Sequence, residues 1–186
     1  MPDDDFGYTA WGRDWVRLAQ PLRQTRPNPL LPRARKLARV GGAQVTLDGR
    51  TVRGVVQRGR NTWVVGIEVA PMSRETIAGI TGQLSGARPI LTDDVHRVLT
   101  ETGHSPAPVL AGVECSCSDD TGCCIHVLAV YYEMARRVDD DPRIALDVQD
   151  FSRASSGGTR PATAALPQRW IALNALDPAG YFTVSK

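Results

Sequence analysis

Residues 115–126 read Cys115-Ser116-Cys117-Ser118-Asp119-Asp120-Thr121-Gly122-Cys123-Cys124-Ile125-His126 and contain all four cysteines of the chain. Cys115 and Cys117 lie two apart, so on an extended segment both side chains point to one side. Cys124 and His126 form a second pair at the start of a helical stretch. Asp119, Asp120 and Gly122 suit a turn that returns the second pair to the first. Three thiolates and one imidazole make a closed tetrahedral set that suits zinc and leaves no position open for water. The spacing alone leaves the third thiolate open between Cys123 and Cys124. A Cys115–Cys117 disulfide would close too short a loop for relaxed geometry, while the vicinal Cys123-Cys124 pair also permits a redox role.

Working outward, Gly112 to Ser118 reads as extended and Cys124 to Val138 as helical, with Cys124, Val127, Leu128, Tyr131 and Ala135 on one stripe. Asp139-Asp140-Asp141-Pro142 reads as a solvated stop, with a shorter helical turn following through Val148. Upstream, Thr92 can cap a helix to about Thr102, and Ser73 one to about Leu84. Residues 43–47, 51–57 and 62–69 are β-like. Asp48-Gly49 and the Gly59/Asn61 region separate them, which predicts an antiparallel meander. Trp11, Trp15 and Leu18 follow i, i+4, i+7 spacing on a short helix over 11–20. The Pro- and Arg-rich residues 26–40 read as an extended arm. Residues 152–168, rich in Ser, Gly, Thr, Ala and Pro, read as a flexible linker to an apolar tail, Trp170–Phe182. The predicted class is α+β: a small antiparallel β-meander with flanking helices and a zinc finger built from a short extended segment plus a helix. The expected organisation is an N-terminal α+β region over 1–110, the finger and its helix over 111–150, and linker and tail over 151–186.

The chain has 186 residues, 42% of them apolar and 23% charged, with a net charge of +2. That excludes a uniformly cationic binder. No apolar span of about 20 residues exists, so no membrane helix is expected. The acidic start, Met1-Pro2-Asp3-Asp4-Asp5, does not read as a signal peptide, and a cytoplasmic protein is expected. In that reducing compartment a tight cysteine cluster points to metal rather than disulfides. The small net charge is a cancellation. Residues 1–60 carry 12 basic and 5 acidic side chains, net +7, and residues 61–186 carry 10 basic and 15 acidic, net −5.

The pattern C-x-C-x6-C-x-H resembles the SWIM zinc finger, and Cys115, Cys117, Cys124 and His126 fit it. The resemblance selects Cys124 over Cys123 as third ligand. Over about residues 6–150 the chain is similar to bacterial stand-alone SWIM zinc finger proteins. These open with an aromatic segment like Phe6-Gly7 and Trp11-Gly12-Arg13-Asp14-Trp15, followed by an Arg-rich arm, a β-meander and two helices. It departs from them at Ala10, where a tryptophan is frequent, and at Cys123. SWIM domains occur in Swi/Snf-type ATPases, Mutator-class transposases and MEK kinases. The resemblance implies DNA binding or protein interaction, and the stand-alone members resemble accessory proteins of helicase-like ATPases.

A Cys3His zinc centre carries about −1 overall. Glu114, Asp119, Asp120 and Glu133 lie around it in sequence, and no Lys or Arg occurs between Arg97 and Arg136. Phosphate contacts are therefore expected from the first 60 residues. The candidates are Arg33, Arg35, Lys36 and Arg39 on the arm, with Arg33, Arg35 and Arg39 lining one groove, and Arg53, Arg58 and Arg60 on or near the meander. A solvated arginine-rich surface is the simplest competing account. Trp11, Trp15 and Trp63 read as core more readily than as base-stacking platforms. His96 and His104 read as isolated surface or loop residues. With no P-loop, no nucleophile–base constellation and no open metal site, the chain is not expected to be an enzyme or to take a small-molecule substrate. The expected function is a non-enzymatic, zinc-binding accessory factor associated with nucleic acid. The alternative is an adaptor that docks on a larger complex through its acidic zinc lobe or its tail.

Overall fold

In the computed structural model, which describes residues 6–20, 28–84, 90–117 and 123–155, two glycine turns generate the sheet. Strand β1 (Ala43–Asp48) pairs antiparallel with β2 (Thr51–Arg58), and β2 with β3 (Asn61–Val69). Asp48 lies opposite Thr51 and Arg58 opposite Asn61, so the turns are Gly49-Arg50 and Gly59-Arg60. The first break thus falls one residue later than Asp48-Gly49. Each turn places glycine first, at φ 57° and 62°, where a Cβ would be strained and where the backbone twist matches that of the strands. A fourth strand, β4 (Leu110–Cys115), adds antiparallel to β3, giving the order β1-β2-β3-β4.

The described helices are α1 (Ala10–Ala19), α2 (Leu31–Arg39), α3 (Arg74–Gln83), α4 (Asp93–Glu101), α5 (Ile125–Asp140), α6 (Arg143–Asp147) and α7 (Phe151–Ser155). The expected caps are in place: Ser73 Oγ accepts from Thr76 N–H at 3.0 Å and Thr92 Oγ1 from Val95 N–H at 3.3 Å. Helix α5 is the centre of the molecule. The inner face of the sheet (Val45, Val52, Val56, Val65, Ile67 and Val69, all buried) packs on one side of it, and α1 and α2 pack on others. Every residue from His126 to Ala135 is consequently buried, where the sequence suggests a single apolar stripe. A helix covered all round is apolar all round.

One close approach fixes the distance between α5 and the sheet. A Cβ at Gly54 in β2 would collide with the Val130 side chain of α5. We expect Gly54→Val to force these layers apart and to cost about 1–3 kcal/mol, read as a lower urea midpoint with an unchanged slope.

Four expectations are corrected. Residues 31–39 form a helix rather than an extended arm. Pro32 sits in its first turn, where its missing N–H is not needed, and Ala34 and Ala38 are buried at i, i+4 spacing. Asp139 is not a solvated stop: it is 5% exposed, and its carboxylate accepts from Gly7 N–H (2.6 Å), Thr9 N–H (2.9 Å) and the Thr9 hydroxyl (2.7 Å). His96 is buried, not superficial. Its Nε2 lies 2.7 Å from Asp14 Oδ2, and the Trp11 ring meets it edge-on at 5.1 Å. Residues 151–155, placed in the linker, are helical. The rest of that linker and the Trp170–Phe182 tail lie outside the described residues.

The aromatic opening segment acquires a physical meaning here. Phe6 packs on Tyr132 of α5 with ring centroids 5.2 Å apart. Gly7, at φ 72°, delivers its N–H to Asp139. Gly12 leaves the space that the same carboxylate fills, since a Cβ there would overlap it. Trp11 donates its indole N–H to Thr92 O at 3.1 Å, and Trp15 is fully buried. The segment is a clamp onto α5 and α4.

Candidate metal centre

Two local structures bring four donors together. Cys115 ends β4, opposite Val65 of β3. Ser116 continues the pairing by one residue: its N–H donates to Val64 O and its Oγ accepts from Val64 N–H, both at 2.9 Å. With Ser116 held on β3, Cys115 and Cys117 fall on one side of the extended chain. Cys124 is the N-cap residue of α5 and His126 lies in its first turn.

The ligand atoms of Cys115, Cys117, Cys124 and His126 all lie within 4.8 Å of one another. His126 presents Nδ1, 3.8 Å from the sulfurs of both Cys115 and Cys124. The four residues can therefore hold a single metal ion through three sulfurs and one nitrogen. Burial pushes the Cys115 thiol up to about 12 and the Cys124 thiol up as well, because a thiolate in a partly dry site loses hydration. A divalent cation offsets that loss with its charge and takes the thiols as thiolates. Cys123 packs partly buried beside the core and is not among the four grouped donors, which agrees with Cys124 as the third ligand.

Sequence reasoning missed a component of this site. Trp63, at the start of β3, stacks on the His126 ring with centroids 4.1 Å apart and planes 19° from parallel. It shields one face of the imidazole and holds the ring. In sequence the residue reads as core or as a base-stacking platform, because the packing of β3 against the start of α5 that sets it on His126 leaves no mark there. Glu133, in contrast, is not a neighbour of the centre. It lies two turns along α5 from His126, where Arg136 and Arg137 bond it at 2.7 and 3.3 Å. Asp119 and Asp120 lie outside the described residues.

The seven basic candidates do not share a groove. On a helix Arg33 and Lys36 fall on one side and Arg35 and Arg39 on another. Arg35 is taken up by Tyr132, donating from Nε to its hydroxyl at 3.2 Å with the guanidinium 5.5 Å over the ring. Arg39 lines a separate hollow with Glu133, Arg136 and Arg137. Arg53 projects from the outer sheet face toward a hollow shared with Glu114. Arg58 ends β2 and Arg60 sits in the turn after it, both exposed. Arg33, Lys36 and Arg58 come together around a cavity of about 440 Å³ that also touches Ile125 at the start of α5. The helix content of α2 and the sheet register thus replace the expected linear arm by a local cluster. Among the described residues no helix is long and apolar enough to cross a membrane. Comparison with known protein families, with curated proteins and with solved structures gave no match to this chain.

Proposed function

We propose that this protein binds one structural zinc ion in a SWIM-type finger and serves, without catalysing a reaction, as an accessory factor on nucleic acid. The observation that carries the reading is the gathering of three cysteine sulfurs and one histidine nitrogen within reach of a single ion. Zinc–sulfur bonds of about 2.3 Å and a zinc–nitrogen bond of about 2.0 Å, at tetrahedral angles, put sulfur and nitrogen about 3.5 Å apart. The 3.8 Å separations at His126 Nδ1 need only a small contraction to meet that geometry. Four protein donors fill a tetrahedral coordination sphere, which favours a structural over a catalytic role. The zinc ties the end of β4 to the start of α5, the most buried helix of the described fold.

The nucleic-acid part of the reading is supported by the basic first 60 residues and by the placement of Arg33, Lys36 and Arg58 beside the centre. A second reading, docking on a larger protein such as a helicase-like ATPase, draws on the outer sheet face, where the paired residues Val55 and Val64 are 38% and 54% exposed.

Metal analysis of purified protein should find about one zinc per chain. Cys123→Ser should retain it, whereas loss of zinc in that variant would assign the third thiolate to Cys123. In a mobility shift, phosphate contacts require affinity to fall steeply as salt is raised. Zinc-loaded protein that binds no nucleic acid even at low salt would defeat the nucleic-acid reading and leave the zinc assignment standing.

A further inference from the structure

The cavity between α2, the β2–β3 hairpin and the start of α5 has two kinds of wall. Its cations are Arg33, Lys36 and Arg58, and its apolar surface is Leu37, Val40 and Ile125. Among the described residues none of the three cations has a carboxylate partner. Val40 is 69% exposed, an unusual position for a valine that continues a helix face. Ile125 lies between Cys124 and His126, so the first turn of α5, which carries two of the four grouped donors with its cap, forms one wall.

Three cations around one hollow, with no carboxylate partner among the described residues, call for a multiply charged anion. The apolar wall decides which kind. A duplex offers its phosphates on a rigid surface with its bases stacked inside, so Leu37, Val40 and Ile125 would stay bare against it. An unpaired strand can lay a base or sugar on that wall while phosphates on either side meet Arg33 and Lys36 on α2 and Arg58 on the hairpin. Resting on the nucleic-acid reading above, we propose that this cavity binds single-stranded nucleic acid, seating one unpaired nucleotide beside the metal centre.

The test uses the zinc-loaded full chain and fluorescence anisotropy with a labelled oligodeoxythymidine about 12 nucleotides long and a duplex of equal length. The single strand should bind roughly tenfold more tightly or better, and Lys36→Glu with Arg58→Glu should weaken it at least about tenfold and lower the salt slope by about 2. Val40→Asn should narrow the single-strand preference and leave the salt slope unchanged. Zinc content and melting temperature should stay constant in these exposed-site variants, which separates lost binding from lost fold. Equal or tighter duplex binding would overturn the proposal while sparing the nucleic-acid reading, as would single-strand binding indifferent to the charge reversals. Absence of binding to either probe at low salt would overturn both. Binding of polyglutamate in place of both nucleic acids would assign the cavity to acidic protein segments and overturn the proposal.

Discussion

Cys115→Ala and His126→Ala should each yield protein that retains less than roughly a tenth of the wild-type metal and is several kcal/mol less stable. Each change removes one of four donors, and three remaining ligands cannot close the tetrahedron. On the zinc reading the loss propagates, because the ion would join the end of β4 to the start of α5. Cys115 lies on β4, an edge strand held by β3 alone, and His126 lies in the first turn of α5. Protection of backbone amides should fall first in β4 and at the start of α5. Chelation of the wild type should reproduce the effect, and a metal-free variant as stable as the wild type would refute the structural role.

The same site sets a pH dependence of definite sign. In the metal-free fold burial pushes the Cys115 thiol from its ordinary 9.0 to about 12. Above pH 9.0 the unfolded chain releases a proton that the metal-free fold still holds, so unfolding is favoured as pH rises through that window. Stripped protein should therefore lose stability as the pH rises above about 9 toward about 12, read by urea unfolding. Metal reverses the preference, since it binds thiolates. Its affinity should fall as the pH is lowered, and loading should release protons.

Asp139→Ala should be the most damaging substitution away from the metal. The carboxylate receives the Gly7 and Thr9 N–H groups and the Thr9 hydroxyl, with Tyr8 N–H at 3.4 Å. Alanine leaves these donors without an acceptor in a site that is 5% exposed. A loss of about 3 kcal/mol is expected, which at this chain length lowers the melting temperature by roughly 6–12 °C. The clamp formed by Phe6 and Trp11 should loosen as well. Asp139→Asn, which keeps one carbonyl oxygen but turns an amide toward donors, should recover only part of the loss. An Asp139→Ala protein that melts with the wild type would show the clamp to be held by aromatic packing alone.

What could be read in advance follows from the range of each interaction. Caps at Ser73 and Thr92, the two glycine turns and the strand alternation are set by residues within four positions of one another, and they came through with small shifts in boundary. The gathering of Cys115, Cys117 and His126 with one further cysteine was also legible, because the C-x-C and C-x-H pairs lie at the two ends of a short stretch, and the structure groups Cys124 with them. Errors arose wherever a distant partner decided the outcome. Prolines at 27, 29 and 32 suggested an extended arm, but packing of Ala34 and Ala38 against α5 favours a helix that tolerates Pro32 in its first turn. Asp139 resembled the exposed Asp140 until Gly7 and Thr9, about 130 residues earlier, supplied its hydrogen bonds. His96 looked isolated because Asp14 lies 82 residues away.

The sequence by itself determined the β1-β2-β3 meander, the capped starts of α3 and α4, and the C-x-C and C-x-H pairs, since each is encoded by neighbours in the chain. Only the tertiary structure decided that Trp63 covers His126, that Arg35 belongs to Tyr132, and that Arg33, Lys36 and Arg58 surround one hollow beside the start of α5. Those relations depend on strand register and on the rotation of α2 against α5, which long-range packing selects and no local pattern encodes.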